Sequence, residues 1–136
     1  MPEWNKTVSS VKVLGKIGQQ TFLTLEVSAP AALGLISSRE FVTVRRIDKF
    51  EDEYISAGIS TDSCENLVPK SNFVRGVNGP TGFVIGPGKE GPYSTKFVWI
   101  LNTNLKGNLS QSLVNRNLTA TLINFVASMK ERLKML

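Results

Sequence analysis

Near residue 108 the hydrophobic period of this chain changes once and does not change back. From residue 108 to 136 apolar residues recur at three- and four-residue steps: Val114, Leu118, Leu122, Phe125, Met129 and Leu133. That spacing makes one stripe of an α-helix. Asn108 with Gln111 three residues later reads as a capping box after Gly107. Lys130, Arg132 and Lys134 occupy the final turns, where they favour the negative end of the helix dipole. At ~1.5 Å per residue such a helix, bounded at about 109–134, runs to about 40 Å.

Upstream of that switch the chain reads as short strands with turn signals between them. Residues 8–17 alternate, with Val11, Val13 and Ile17 on one face, and Gly18-Gln19-Gln20 turns into a second strand over 21–27. Strand pattern resumes at 40–47, and an acidic turn (Asp48, Glu51, Asp52, Glu53) leads into a strand over 53–60. Residues 61–71 form a polar loop holding Cys64 and Pro69, and 72–85 is strand-like but broken at Asn78-Gly79-Pro80. A glycine-rich hairpin tip, 86–92, precedes a strong strand over 95–102.

One segment is anomalous. Residues 28–38, with Ala29-Pro30-Ala31-Ala32-Leu33-Gly34-Leu35-Ile36, are apolar yet interrupted by Pro and Gly. Loops normally run over the surface, so an apolar loop must pack on something or cover something. The expected architecture is α+β: one unit over 1–136, with a curved antiparallel sheet over about 8–104 and the helix stripe on its concave face.

Composition removes most chemistry. The chain has no histidine, so Ser-His-Asp and Cys-His catalysis and His-ligated zinc are excluded. The single Cys64 can form neither an internal disulfide nor a thiolate metal cluster. The acidic residues crowd one solvated turn rather than an acid–base pair. No enzyme, metal or cofactor is expected. The net charge is +5, but the 16 basic residues are spread from Lys6 to Lys134 without a block or aromatic interleaving, so no nucleic-acid partner is expected. Weak attraction to an anionic membrane face fits better. The longest apolar run is Phe97-Val98-Trp99-Ile100-Leu101, far short of a membrane span, and the start lacks a signal-peptide pattern. The expected location is cytoplasmic.

Gly86-Pro87-Gly88-Lys89-Glu90-Gly91 satisfies G-x-G-x-x-G, yet Pro92 and a strand follow instead of the helix that would hold a pyrophosphate. It reads as a hairpin tip.

Four stretches resemble the StAR-related lipid-transfer (START) family, in its sterol-handling branch: Trp4-Asn5; Ser38-Arg39-Glu40-Phe41-Val42-Thr43-Val44-Arg45; Phe73-Val74-Arg75-Gly76-Val77-Asn78-Gly79-Pro80; and Phe97 through Gly107. That branch includes insect carotenoid-binding members. The resemblance implies a helix-grip fold, in which the sheet grips the long helix around a lipid-sized tunnel whose mouth is partly covered by residues 29–38. It also implies that an acidic residue and an arginine on adjacent strands pair inside the tunnel, at Glu26 and Arg45. Periodicity alone would leave Glu26 an exposed charge. Asn78 and Thr81 match positions near the tunnel. Leu33, Leu35 and Ile36 of the loop and Leu122, Phe125 and Met129 of the helix are the remaining expected ligand contacts. Arg39 matches a structural arginine tying the loop to its strand.

The chain departs from the family pattern at Val77, where an acidic residue is usual, and it begins about one-third of the way into a START domain. One sheet edge should therefore lack a partner and invite self-association. The expected function is non-enzymatic carriage of a sterol, or a similar lipid such as a carotenoid, with transient contact at endosomal or mitochondrial membranes. The loop or the helix would move for exchange, with the basic helix end near the membrane. The alternative is a short form that carries no lipid and modulates a full-length partner.

Overall fold

A computed structural model describes residues 2–136. Among them the chain forms nine strands and one α-helix in the order β1 (Val8–Lys16), β2 (Thr21–Ser28), β3 (Arg39–Phe50), β4 (Glu53–Ser60), β5 (Val74–Arg75), β6 (Val77–Asn78), β7 (Thr81–Pro87), β8 (Thr95–Ile100), β9 (Thr103–Asn104) and α1 (Gln111–Lys134). The main sheet runs β1-β2-β3-β4-β7-β8, all antiparallel, with β5 added parallel to the start of β3; β6 and β9 pair separately. Among the described residues β1 pairs only with β2 and β8 only with β7, so each leaves one edge open.

Hairpins account for most of this order, because each turn is short and carries the residues it needs. Gly18 lies at φ 79° in the β1–β2 turn, a left-handed conformation that costs glycine nothing. The 86–92 segment is the tip of the β7–β8 hairpin, closed by the Gly88 N–H donating to the Ser94 carbonyl at 2.8 Å. Within β1, register shifts after Val8 and after Val13 re-phase the strand. Val11 therefore reaches the helix side, while Leu14 packs on the opposite face and Ile17 lies beyond the strand, exposed.

The strands turn their most apolar stripe away from the helix. Leu23, Leu25 and Val42 form a core on the outer face with Leu14, Val44, Cys64 and Val68. The polar loop 61–71 thus covers a core rather than merely linking strands. A buried carboxylate fastens it: Glu40 accepts from the Ser71 hydroxyl at 2.7 Å and from Arg75 Nε at 3.0 Å, and Arg75 Nη1 donates to Glu65 at 2.7 Å. Burial works against the charge of Arg75, but its hydrogen bonds to Glu65 and Glu40 outweigh that and raise its pKa.

A second core joins loop 29–38 to the helix. Ile36, Phe41 and Leu105 are buried against Ala31, Ala32, Leu109, Leu113 and Val114. Helix α1 starts later than the capping-box reading placed it. Ser110 is the N-cap, its Oγ accepting from the Leu113 N–H at 3.2 Å. Phe125 is the one fully buried helix side chain among the described residues. It enters a ring of Trp4, Phe83, Phe97 and Trp99 at centroid distances of 4.7–5.9 Å. The helix is therefore pinned at its first turns and again at Phe125. From Val114 to its last turn it runs about 30 Å, so the basic end with Arg132 and Lys134 lies far from loop 29–38.

Arg39, 3% exposed, ties the loop and the β9–α1 linker to β3. Its guanidinium donates to the carbonyls of Leu105 (2.9 Å), Ser37 (2.6 Å) and Lys106 (3.2 Å) and to the Ser37 hydroxyl (2.8 Å). Gly107 sits at φ 77°, and a Cβ there would stand 2.8 Å from Arg39 Nη2. Gly107→Ala is expected to lower stability by about 1–2 kcal/mol through left-handed strain, with more lost if Arg39 shifts. Urea unfolding measures it, and an unchanged midpoint would contradict the role given to Arg39.

Candidate ligand-binding site

Between the helix side of the sheet and α1 lies a hollow of about 340 Å³. It exists because the inward positions of β2, β3 and β4 carry short or polar side chains (Thr24, Glu26, Arg45, Ser56) that do not fill the curve of the sheet. Helix residues Asn117, Leu118 and Thr121, between the two pinning points, close it from above.

The floor is charged. Arg45 Nη2 stands 3.5 Å from Glu26 Oε1, with the two side chains 15% and 26% exposed. The pair is partly open rather than sealed. Arg45 Nη1 donates to Ser56 Oγ at 3.1 Å, its one geometrically sound hydrogen bond. Gly58, paired with Arg45 across β3–β4, leaves room for this: a Cβ there would lie 2.8 Å from Thr43 Cγ2 and 3.5 Å from Arg45 Cζ. Beside it, the buried Asn78 takes the Thr103 hydroxyl on Oδ1 at 2.7 Å, and its N–H donates to Ser60 at 2.8 Å. The Thr81 hydroxyl donates to the Ile100 carbonyl at 2.6 Å. The other wall is aromatic: Phe83, Trp99 and Phe125 line it. The hollow is thus polar at one part and apolar at another, suited to one molecule with a small polar end.

Of the residues expected from sequence, Glu26, Arg45, Asn78, Thr81, Ile36 and Phe125 line this hollow. Leu33 and Leu35 do not; they are 107% and 70% exposed. Ala32 and Leu33 adopt φ 51° and 55° in the short 3-10 turn Ala32–Gly34, which turns both leucines outward while Ile36 folds under. Leu122 and Met129 are also corrected: both are half-buried on the helix flank and outside the hollow's wall. Sequence reading missed Asn5, Thr24, Ser56, Phe83, Trp99, Thr103 and Leu118 as wall residues. A signal did exist for Phe83 and Trp99, which face each other in the β7–β8 register and carry aromatic rings on one face of a hairpin.

A family model for the START domain matches residues 1–136. The chain belongs to the START domain family. This START chain is 38% identical to the mitochondrial steroidogenic acute regulatory protein of Danio rerio over 133 residues, and 38% identical to that of Homo sapiens over 134. Each alignment covers 98% of this chain but 46% and 47% of the relative, so the chain spans about half the length of the curated relatives it matches. Among solved structures, human StAR-related lipid transfer protein 5 superposes with a TM-score of 0.90 at 27% identity, over 98% of this chain and 63% of that one. Human STARD10 shares the fold, with a TM-score of 0.73 at 20% identity over 95% of this chain and 53% of that one. The mostly antiparallel sheet with one C-terminal helix is the helix-grip arrangement of these START neighbours. No helix among the described residues is long and apolar enough to cross a membrane.

Proposed function

We propose that this START chain holds one sterol molecule in the hollow beneath α1 and passes it between membranes without chemical change. The observation that carries this reading is the open Glu26–Arg45 pair at one part of an otherwise largely apolar cavity. A sterol is a rigid apolar body with one hydroxyl. Burial contributes about 0.8 kcal/mol per methylene, and the hydroxyl sets orientation. A volume of 340 Å³ stands near the lower end of ~300–1,000 Å³ for small-molecule sites, which favours a compact fused-ring ligand over a long carotenoid. The names of the curated relatives, steroidogenic acute regulatory proteins, agree in direction. The alternative of a short form that only modulates a partner has less support, since the cavity is formed within this chain. Titration with a fluorescent sterol tests the reading: Trp99 on the wall should transfer energy to one bound molecule per chain, and non-saturating signal would sink it.

Membrane contact belongs to the loop tip. Leu33 and Leu35 offer two aliphatic side chains to a bilayer. Lys106, whose carbonyl shares Arg39 with Ser37, puts a cation at the same end of the molecule, on the cytoplasmic face in this reading. Replacing both leucines by aspartate should slow sterol transfer between anionic vesicles roughly tenfold or more. Equilibrium sterol binding and the melting temperature should stay near those of the parent chain. An unchanged transfer rate would remove the loop from the membrane contact.

A further inference from the structure

We infer that Ser56 is the group that positions Arg45, leaving Glu26 free to accept a hydrogen bond from the ligand. This rests on the sterol reading above and adds a residue that discriminates between sterol forms. An arginine fully engaged with a carboxylate makes contacts of about 2.7–2.9 Å. Here the nearest approach is 3.5 Å, and Glu26 accepts no hydrogen bond from the protein among the described residues. The guanidinium is instead held by Ser56 Oγ at 3.1 Å and lies over the space that Gly58 leaves. A half-buried carboxylate with no protein donor keeps its oxygens open to a ligand hydroxyl that displaces solvent. Ser56 has a second use. A hydroxyl both donates and accepts, and Ser56 accepts from Arg45 while its own proton meets no acceptor among the described residues. The floor of the hollow thus offers a free acceptor on Glu26 and a free donor on Ser56, with Arg45 between them.

That set matches both functions of an alcohol, which would donate to Glu26 and accept from Ser56. A lipid whose oxygen is capped as an ether or ester lacks the donor and leaves Glu26 unsatisfied. Ser56 therefore favours free alcohols over their capped forms by holding Arg45 off Glu26, which keeps that acceptor open for the alcohol's proton. It is a positioning residue for Arg45, and no bond is made or broken.

The test uses the full chain with Ser56→Ala and Ser56→Thr. Each is titrated with a fluorescent free sterol and with the methyl ether of the same sterol, and each is crystallised without ligand. Ser56→Ala should bind the alcohol at least about 10-fold more weakly, because both the Ser56 donor and the open Glu26 acceptor are lost, and the ether only about 2–5-fold more weakly, while Ser56→Thr keeps the parent preference. In the ligand-free Ser56→Ala crystal Arg45 should close onto Glu26, to about 2.8 Å. Equal losses for both ligands, an unchanged affinity for the alcohol, or an Arg45 that keeps its parent distance from Glu26 would each overturn the assignment. Should the parent chain bind neither sterol, the sterol reading fails, while the crystal comparison still decides whether Ser56 positions Arg45.

Discussion

Replacing Phe125 by alanine is expected to cost about 3–5 kcal/mol, the range for removing a buried aromatic side chain. Folded domains are stable by only ~5–15 kcal/mol, so the melting temperature should fall by roughly 10–20 °C. The size of the effect follows from how α1 is held. The helix buries one side chain fully, Phe125 at 4% exposure, and four aromatic rings surround it. Its other attachment lies at Leu113 and Val114, against the loop and Leu105. Removing the ring frees the C-terminal half of the helix while the first turns stay docked. Hydrogen exchange should therefore rise in the helix after Thr121 well before it rises in β2, β3 or β4. Circular dichroism melts and exchange measurements check both parts. A shift of only a degree or two, or loosening spread evenly over the sheet, would contradict the two-point attachment.

Replacing Arg45 by leucine is the second large effect, and it separates stability from binding. Loss of one partner of a buried pair costs about 3–5 kcal/mol, and the partial exposure of both side chains reduces this to about 1–3 kcal/mol. Replacing Glu26 and Arg45 together by leucine removes the stranded charge as well. The double variant should recover the parent's stability or exceed it. Affinity for a free sterol should nonetheless fall about 10–100-fold in the double variant, which loses Glu26 as the acceptor, because hydrogen bonds to charged groups contribute about 1.5–3 kcal/mol. A double variant that binds sterol as the parent does would show that the pair serves the fold and not the ligand.

The sequence discloses some of these elements and hides others for identifiable reasons. The helix is legible because its stripe repeats over several turns, and the hairpins because Gly18 and the 86–92 tip mark them. Ile36 and Phe125 were legible as apolar residues in a loop and a helix that had to pack. Leu33 and Leu35 were not separable from Ile36 by hydropathy. Their outward turn depends on two left-handed backbone angles at Ala32 and Leu33, which no non-glycine residue announces. The inner face of β2 and β3 was hidden by its own chemistry. Thr24, Glu26 and Arg45 look like a solvated face, while the alternating Leu23, Leu25 and Val42 point outward to a core that loop 61–71 completes. Only the resemblance to START domains turned Glu26 inward. Ser56 gave no signal, because its role comes from a hydrogen bond between strands and not from any local pattern.

The most direct measurement is a crystal structure of the chain with a sterol bound. The account predicts one molecule between α1 and the sheet, its hydroxyl against Glu26 and Arg45 and its rings against Phe83, Trp99 and Phe125. A sterol bound only outside this hollow, or a hollow closed by the side chains that line it, would contradict it.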